Sequence, residues 1–122
     1  MKKNTVLIVE DEAIIALDTK ILLEEKGYHV LPIATNASDA VKTALEHEPD
    51  VIIMDIFLKG DKTGIDASYE IRNMYQVPIV YLTGNIHLLD DKTKSRIRTC
   101  DVITKPPSES ELLHTIERIL KE

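Results

Sequence analysis

A chain of 122 residues, 43% hydrophobic and 30% charged, has the size and composition of one compact globular domain over residues 1–122, with no room for a second. Its longest apolar runs, such as Val51-Ile52-Ile53-Met54, fall far short of the roughly 20 residues that span a bilayer, and the stretch after Met1-Lys2-Lys3-Asn4 is too short for a signal peptide. A net charge of −6 opposes direct nucleic-acid binding, which needs a basic footprint, so a cytoplasmic protein with no membrane contact is expected.

Read in chain order, short apolar runs alternate with amphipathic stretches. Thr5–Val9 reads as a strand, and Glu12–Lys26 as a helix with Ile14, Leu17, Ile21 and Leu22 inside, stopped by Gly27 in a left-handed position. His29–Ile33 is mixed in polarity and reads as an edge strand; Ser38 is the expected N-cap of a helix ending before Pro49, with Ala40, Val41, Ala44 and Leu45 inward. Val51–Asp55 is a third strand, buried on both faces. Gly64 to Met74 follows as a helix with Ile65, Ser68, Ile71 and Arg72 at suitable spacing, then Ile79–Leu82 as a fourth strand. Asn85–Thr99 has few apolar residues and predicts a loosely held fourth helix, whose basic run Lys92 to Arg98 reads as a solvated face. Asp101–Thr104 is the last strand, and Ser108 with Glu111 forms a capping-box pattern opening a helix with Leu112, Leu113, Ile116, Ile119 and Leu120 inside.

Five βα units demand right-handed crossovers and a parallel sheet covered on both faces. Five strands are too few for a closed barrel. The expected fold is α/β, a flavodoxin-like doubly wound (βα)5 sheet of order 2-1-3-4-5, with its ligand site outside the carboxyl ends of the strands. Those ends carry Glu10-Asp11-Glu12, Asp55, Thr83-Gly84 and Lys105-Pro106. Clustered carboxylates relieve their repulsion by raising a pKa or by binding a cation, and an all-oxygen set suits Mg²⁺. Asp11 and Asp55 are the expected direct ligands, with Glu10 direct or through water. A carboxylate beside Mg²⁺ can attack a phosphoryl donor, while Lys105 and the Thr83 hydroxyl share the charge on the transferred oxygens.

The set VLIVEDE, MDI, YLTG and ITKP resembles the receiver domains of bacterial and archaeal response regulators, the CheY-like superfamily of two-component signal transduction, over essentially the whole chain. The resemblance implies Asp55 as phosphoacceptor, Glu10 and Asp11 as the acidic metal pocket, the Phe57 carbonyl as a third metal ligand, Thr83 as switch hydroxyl and Lys105 as phosphate-binding lysine. It also implies a cis Lys105–Pro106 peptide, feasible because proline follows. A sensor histidine kinase or phosphotransfer protein would be the phosphoryl source. The chain would be no enzyme apart from self-catalysed phosphotransfer and autodephosphorylation, and the Thr83–Lys105 face would switch on phosphorylation, serving output contact or a homodimer through the fourth helix, fifth strand and fifth helix.

Three features depart from or refine that pattern. Val102 stands where the family usually has an aromatic residue coupled to the switch threonine, so a rotating ring is not implied here. Phe57 and Asn85 occupy variable positions that tend to tune phosphate lifetime, and DIFLKGDKTGID over residues 55–66 resembles receivers that accompany sensor histidine kinases. Rival readings fit less well. An FMN binder needs a phosphate-cradling loop where Glu10-Asp11-Glu12 stands. An aspartyl phosphatase needs a second carboxylate where Phe57 stands, and a degenerate receiver would not keep the acidic pocket. His29, His47, His87 and His114 are scattered surface positions, Met54 is expected in the core, and the single Cys100 agrees with a reducing compartment.

Overall fold

The computed structural model describes residues 4–84, 86–97 and 100–121. Five parallel strands, β1 (Thr5–Val9), β2 (His29–Val30), β3 (Val51–Asp55), β4 (Ile79–Thr83) and β5 (Asp101–Thr104), form one sheet in the order β2-β1-β3-β4-β5. The helices between and after them are α1 (Ala13–Glu25), α2 (Ala37–His47), α3 (Gly64–Arg72), α4 (Asp91–Ile97) and α5 (Glu109–Lys121). This is the flavodoxin-like order expected from the alternation of runs.

Strand side chains alternate between two cores. Leu7, Val9, Ile52, Met54 and Tyr81 pack with α2, α3 and α4 through residues such as Ala40, Ala44, Ile71 and Ile97. Val6, Ile8, Ile53, Val80, Leu82 and Ile103 pack with α1 and α5 through Leu22, Leu23, Leu112 and Ile116. With helices on both faces, β1, β3 and β4 bury nearly every residue, which is why their sequences read as unbroken apolar runs.

Several boundaries depart from the sequence reading. β2 is only His29–Val30: the N–H donors toward β1 run from His29 to Asn4 O and from Leu31 to Val6 O, then skip to Ala34 donating to Ile8 O, so one extra residue interrupts the alternation; pairing resumes at a single bridge between Val9 and Ala34. Asn36, not Ser38, caps α2: its side-chain oxygen accepts from the Asp39 N–H at 2.8 Å, and Ser38 lies inside the helix. α3 ends at Arg72, two residues before Met74. The largest correction concerns α1, which buries Ala16, Thr19, Leu22 and Leu23, while Ile14 is 78% exposed and Leu17 and Ile21 also face solvent. Apolar residues surround this helix, so spacing alone could not choose its inner face. In α2, Leu45 likewise turns outward.

Other expectations hold. Gly27 adopts φ +91 after the end of α1, a left-handed position that costs glycine little. Ser108 Oγ accepts from the Glu111 N–H at 3.2 Å and opens α5. Met54 is wholly buried, and all four histidines are exposed. In the sparse 85–99 segment, a 3-10 turn at Ile86–Leu88 precedes the short α4, so the expected fourth helix is present but brief; Asn85, Arg98 and Thr99 lie outside the described residues. Among the described residues, no helix is long and apolar enough to cross a membrane.

Candidate phosphoryl and metal site

Parallel register brings the distant site residues to one rim. Val9 pairs with Met54, Asp55 with Leu82, and Thr83 with Thr104, so Glu10, Asp55, Thr83 and Lys105 stand at or just beyond four adjacent strand ends. Backbone bonds fix these ends. Glu10 N–H donates to Ala34 O at 2.9 Å, Ile56 N–H to Leu82 O at 3.0 Å, and Lys105 N–H to Thr83 O at 2.7 Å. The Lys105–Pro106 peptide is cis.

Lys105 joins the cluster. Its Nζ lies 2.7 Å from Glu10 Oε1, 3.1 Å from Asp55 Oδ2 and 3.3 Å from Glu12 Oε1. Asp55 Oδ1 accepts from the Phe57 N–H at 3.1 Å, and Asp11 Oδ2 from the Lys59 N–H at 3.0 Å. The β3–α3 loop is therefore tied to both aspartates by its backbone. The Phe57 side chain is 56% exposed and offers no acid or base at that position.

Loop geometry depends on Gly64 at the start of α3. Its N–H donates to Ile56 O at 2.8 Å, and a Cβ there would sit 2.0 Å from the Asp55 carbonyl oxygen and 2.8 Å from Met54 Cγ. Thr63 and Asp66 form a reciprocal capping box that anchors the helix start. The backbone bond from Thr63 is the main reason the Asp66 carboxyl titrates below its usual range.

Buried charge shapes the electrostatics. Glu10, 1% exposed, has its pKa pushed up to about 8, first by burial and then by contact with the Asp55 carboxylate, partly offset by Lys105. Burial works against the Lys105 ammonium, yet its bonds to Glu10 and Asp55 hold it above the ordinary lysine range. Glu10, Glu12 and Asp55 share the Lys105 ammonium, and Asp11 stands beside them without it, so negative charge is left over at this rim. Because the native state holds the Glu10 proton more tightly than the unfolded chain, the stabilisation it gives is full below about pH 4.5 and lost as pH rises through about 8. Glu10→Gln, neutral throughout, is therefore expected to melt roughly 5 °C above wild type at pH 9 in chelator. The gap should close toward pH 5 or on adding Mg²⁺, as thermal melts across pH will read.

The donor set fits a hard divalent cation. One carboxylate oxygen from each of Glu10, Asp11 and Asp55 lies within 4.8 Å of the others. Mg²⁺ with bonds of ~2.1 Å holds ligand atoms at most about 4.2 Å apart, so closing on the ion requires only small side-chain shifts. Thr83 Oγ1 is buried without a hydrogen-bond partner among the described residues. Such an orphan costs about 1–3 kcal/mol and leaves a donor available to an incoming oxygen. All the polar site residues expected from the sequence thus meet at one rim; Asn85, expected to flank them, lies outside the described residues. Sequence reasoning missed the roles of Lys59, whose backbone holds Asp11, and Gly64. Gly64 carried a faint signal as a glycine opening a helix.

Comparison with known proteins agrees with this geometry. A family model described as the response regulator receiver domain matches residues 6–117. The signal receiver domain of a modulated diguanylate cyclase from Desulfovibrio desulfuricans is 29% identical, with a TM-score of 0.87 over 98% of this chain and 95% of its own. A receiver domain of a sensor histidine kinase from Pseudomonas aeruginosa PAO1, solved with magnesium coordinated in its active site cleft, is 27% identical, with a TM-score of 0.88 over 99% of this chain and 100% of its own. The receiver domain of the Erythrobacter litoralis response regulator PhyR is 29% identical, with a TM-score of 0.86 over 98% of this chain and 92% of its own. With the fold, the acidic cluster and a match over most of the sequence in agreement, the chain belongs to the response regulator receiver domain family.

Proposed function

We propose that Asp55 accepts a phosphoryl group from a phosphohistidine on a sensor histidine kinase or phosphotransfer protein, in a reaction that depends on Mg²⁺ held by Glu10, Asp11, Asp55 and the Phe57 carbonyl. The observation that carries this reading is the Lys105 ammonium 3.1 Å from Asp55 Oδ2 inside a three-carboxylate cluster. One Asp55 oxygen attacks phosphorus, the phosphorus–nitrogen bond to the donor imidazole breaks, and the imidazole leaves with that electron pair and takes up a proton. The bound cation supplies charge neutralisation for the transferred oxygens. Lys105 exchanges its carboxylate contact for a phosphoryl oxygen, and Thr83 gives its unpaired hydroxyl hydrogen to another. That bond draws Thr83 toward Asp55 and biases the β4–β5 face between two conformations.

Hydrolysis of the acyl phosphate by water returns the carboxylate, so no separate substrate is turned over. The receiver unit is proposed to span residues 1–122, in the cytoplasm, with the α4–β5–α5 face making output contact or a homodimer and no direct contact with nucleic acid. Incubation with a small acyl phosphate, with and without Mg²⁺, tests the reading by intact mass. A base-labile gain of one phosphoryl group on the Asp55 peptide, seen only with the metal, is expected. Equal labelling in chelator, or none in either condition, would refute it.

A further inference from the structure

Between α2 and the β3–α3 loop lies an open cavity of about 550 Å³, lined by none of Glu10, Asp11, Asp55, Thr83 and Lys105. Small residues create it: Ala37 and Ser38 stand at the start of α2, and Gly60, at φ +110, has open space where a side chain would be. The buried Ala37 and half-buried Val41 give it an apolar wall. The size falls within the roughly 300–1,000 Å³ of pockets that enclose small organic molecules.

Charge at this opening is opposite in sign to that of the chain. Lys42, Lys59 and Lys62 line it against Asp61 and Glu70. Glu70 is taken by Lys62 at 3.6 Å, which leaves two ammoniums to one carboxylate on a chain of net charge −6. Lys42 and Lys59 are exposed and make no ion pair among the described residues. Asp39, the nearest other carboxylate on α2, is turned to the helix start, where it accepts from Asn36 Nδ2 at 3.0 Å. We propose that this cavity binds a small organic phosphate, with an apolar ring packed on Ala37 and Val41 and the phosphate oxygens between the Lys42 and Lys59 ammoniums. Lysine meets phosphate as a mobile point charge, and these two close on a ligand without giving up an existing ion pair. Lys59 belongs to both sites: it lines the cavity, and its N–H holds Asp11 Oδ2 at 3.0 Å, so an occupant also touches the loop that supports the acidic cluster. Binding requires neither metal nor phosphoryl transfer, so it stands or falls apart from the phosphoacceptor reading.

The test is an NMR titration of the unphosphorylated chain, in chelator, with phenylphosphonate, whose carbon–phosphorus bond passes no phosphoryl group to Asp55. Methylphosphonate and benzyl alcohol, which keep only the charge or only the ring, are titrated beside it. Phenylphosphonate should move the amide signals of Ala37, Val41, Lys59 and Gly60 saturably, and the other two should bind at least about ten-fold more weakly. Lys42→Ala and Lys59→Ala, at exposed positions, should each weaken phenylphosphonate roughly five-fold; the second keeps the N–H that holds Asp11. Lys94→Ala removes an equally exposed ammonium on α4 and should leave binding unchanged. No saturable shift, methylphosphonate binding as tightly as phenylphosphonate, or an equal loss in Lys94→Ala, which would mean adventitious pairing of an anion with surface lysines, would overturn the proposal.

Discussion

Asp55→Asn is expected to lower base-labile phosphoryl labelling by at least about 100-fold, to background, in a chain that still folds. An amide oxygen is uncharged and a poor nucleophile, while its size and shape nearly match the carboxylate, so the loss falls on chemistry. It also removes one of the carboxylates crowded around Lys105, and the metal-free variant should melt no lower than wild type. Lys105→Ala should behave differently. The Asp55 nucleophile remains, so labelling should slow by a smaller factor, on the order of ten-fold, while the conformational response of Thr83 and β5 is lost. Phosphopeptide mapping checks both. Labelling of the Asp55→Asn variant at Glu10 or Asp11 would mean the acceptor had been misassigned.

Gly64→Ala is expected to cost roughly 3 kcal/mol or more, at the upper end of what overpacking does, and to lower Tm by on the order of 10 °C. Two effects oppose each other. Alanine favours a helix over glycine by about 0.5–1 kcal/mol, but its Cβ would meet the Asp55 carbonyl oxygen at 2.0 Å. That neighbour is backbone, fixed by the β3–β4 ladder, and cannot rotate away. The clash wins, and relief requires α3 to withdraw or Asp55 to shift. Either movement disturbs the loop whose N–H groups hold Asp55 and Asp11, so labelling per folded molecule should fall as well. Circular dichroism melts alongside mass labelling measure both effects.

The parts of the fold most legible in the sequence were those with one dominant physical signal. Val51–Met54 could only be a strand covered on both sides, and the order of five βα units left few topologies once crossovers were right-handed. The polar residues at Glu10, Asp55, Thr83 and Lys105 were legible because each follows an apolar run, where a strand end must be. Periodicity failed where apolar residues surround a helix: Ile14, Leu17 and Ile21 of α1 looked inward, yet the shorter Ala16 and Thr19 face the sheet. Choosing that face takes the tilt of the neighbouring strands, which no local window contains. Ser38 is a good capping residue type, yet Asn36, two positions earlier and equally suited, takes the cap because its backbone is extended and its side chain reaches the Asp39 N–H. Backbone-mediated support was invisible for a related reason. The Lys59 N–H that holds Asp11 could belong to any residue type, so no side-chain pattern announced it.

If one rim of the sheet holds a divalent cation and a phosphoryl group together on Asp55, a crystal structure of the chain grown with Mg²⁺ and beryllofluoride will show it most directly, because beryllofluoride mimics a phosphoryl group on a carboxylate. Density for the adduct on Asp55, with the cation on the carboxylates of Asp11 and Asp55 and with Thr83 Oγ1 and Lys105 Nζ on its fluorines, is the predicted result. An adduct-free Asp55, or a cation bound away from those carboxylates, would contradict the account.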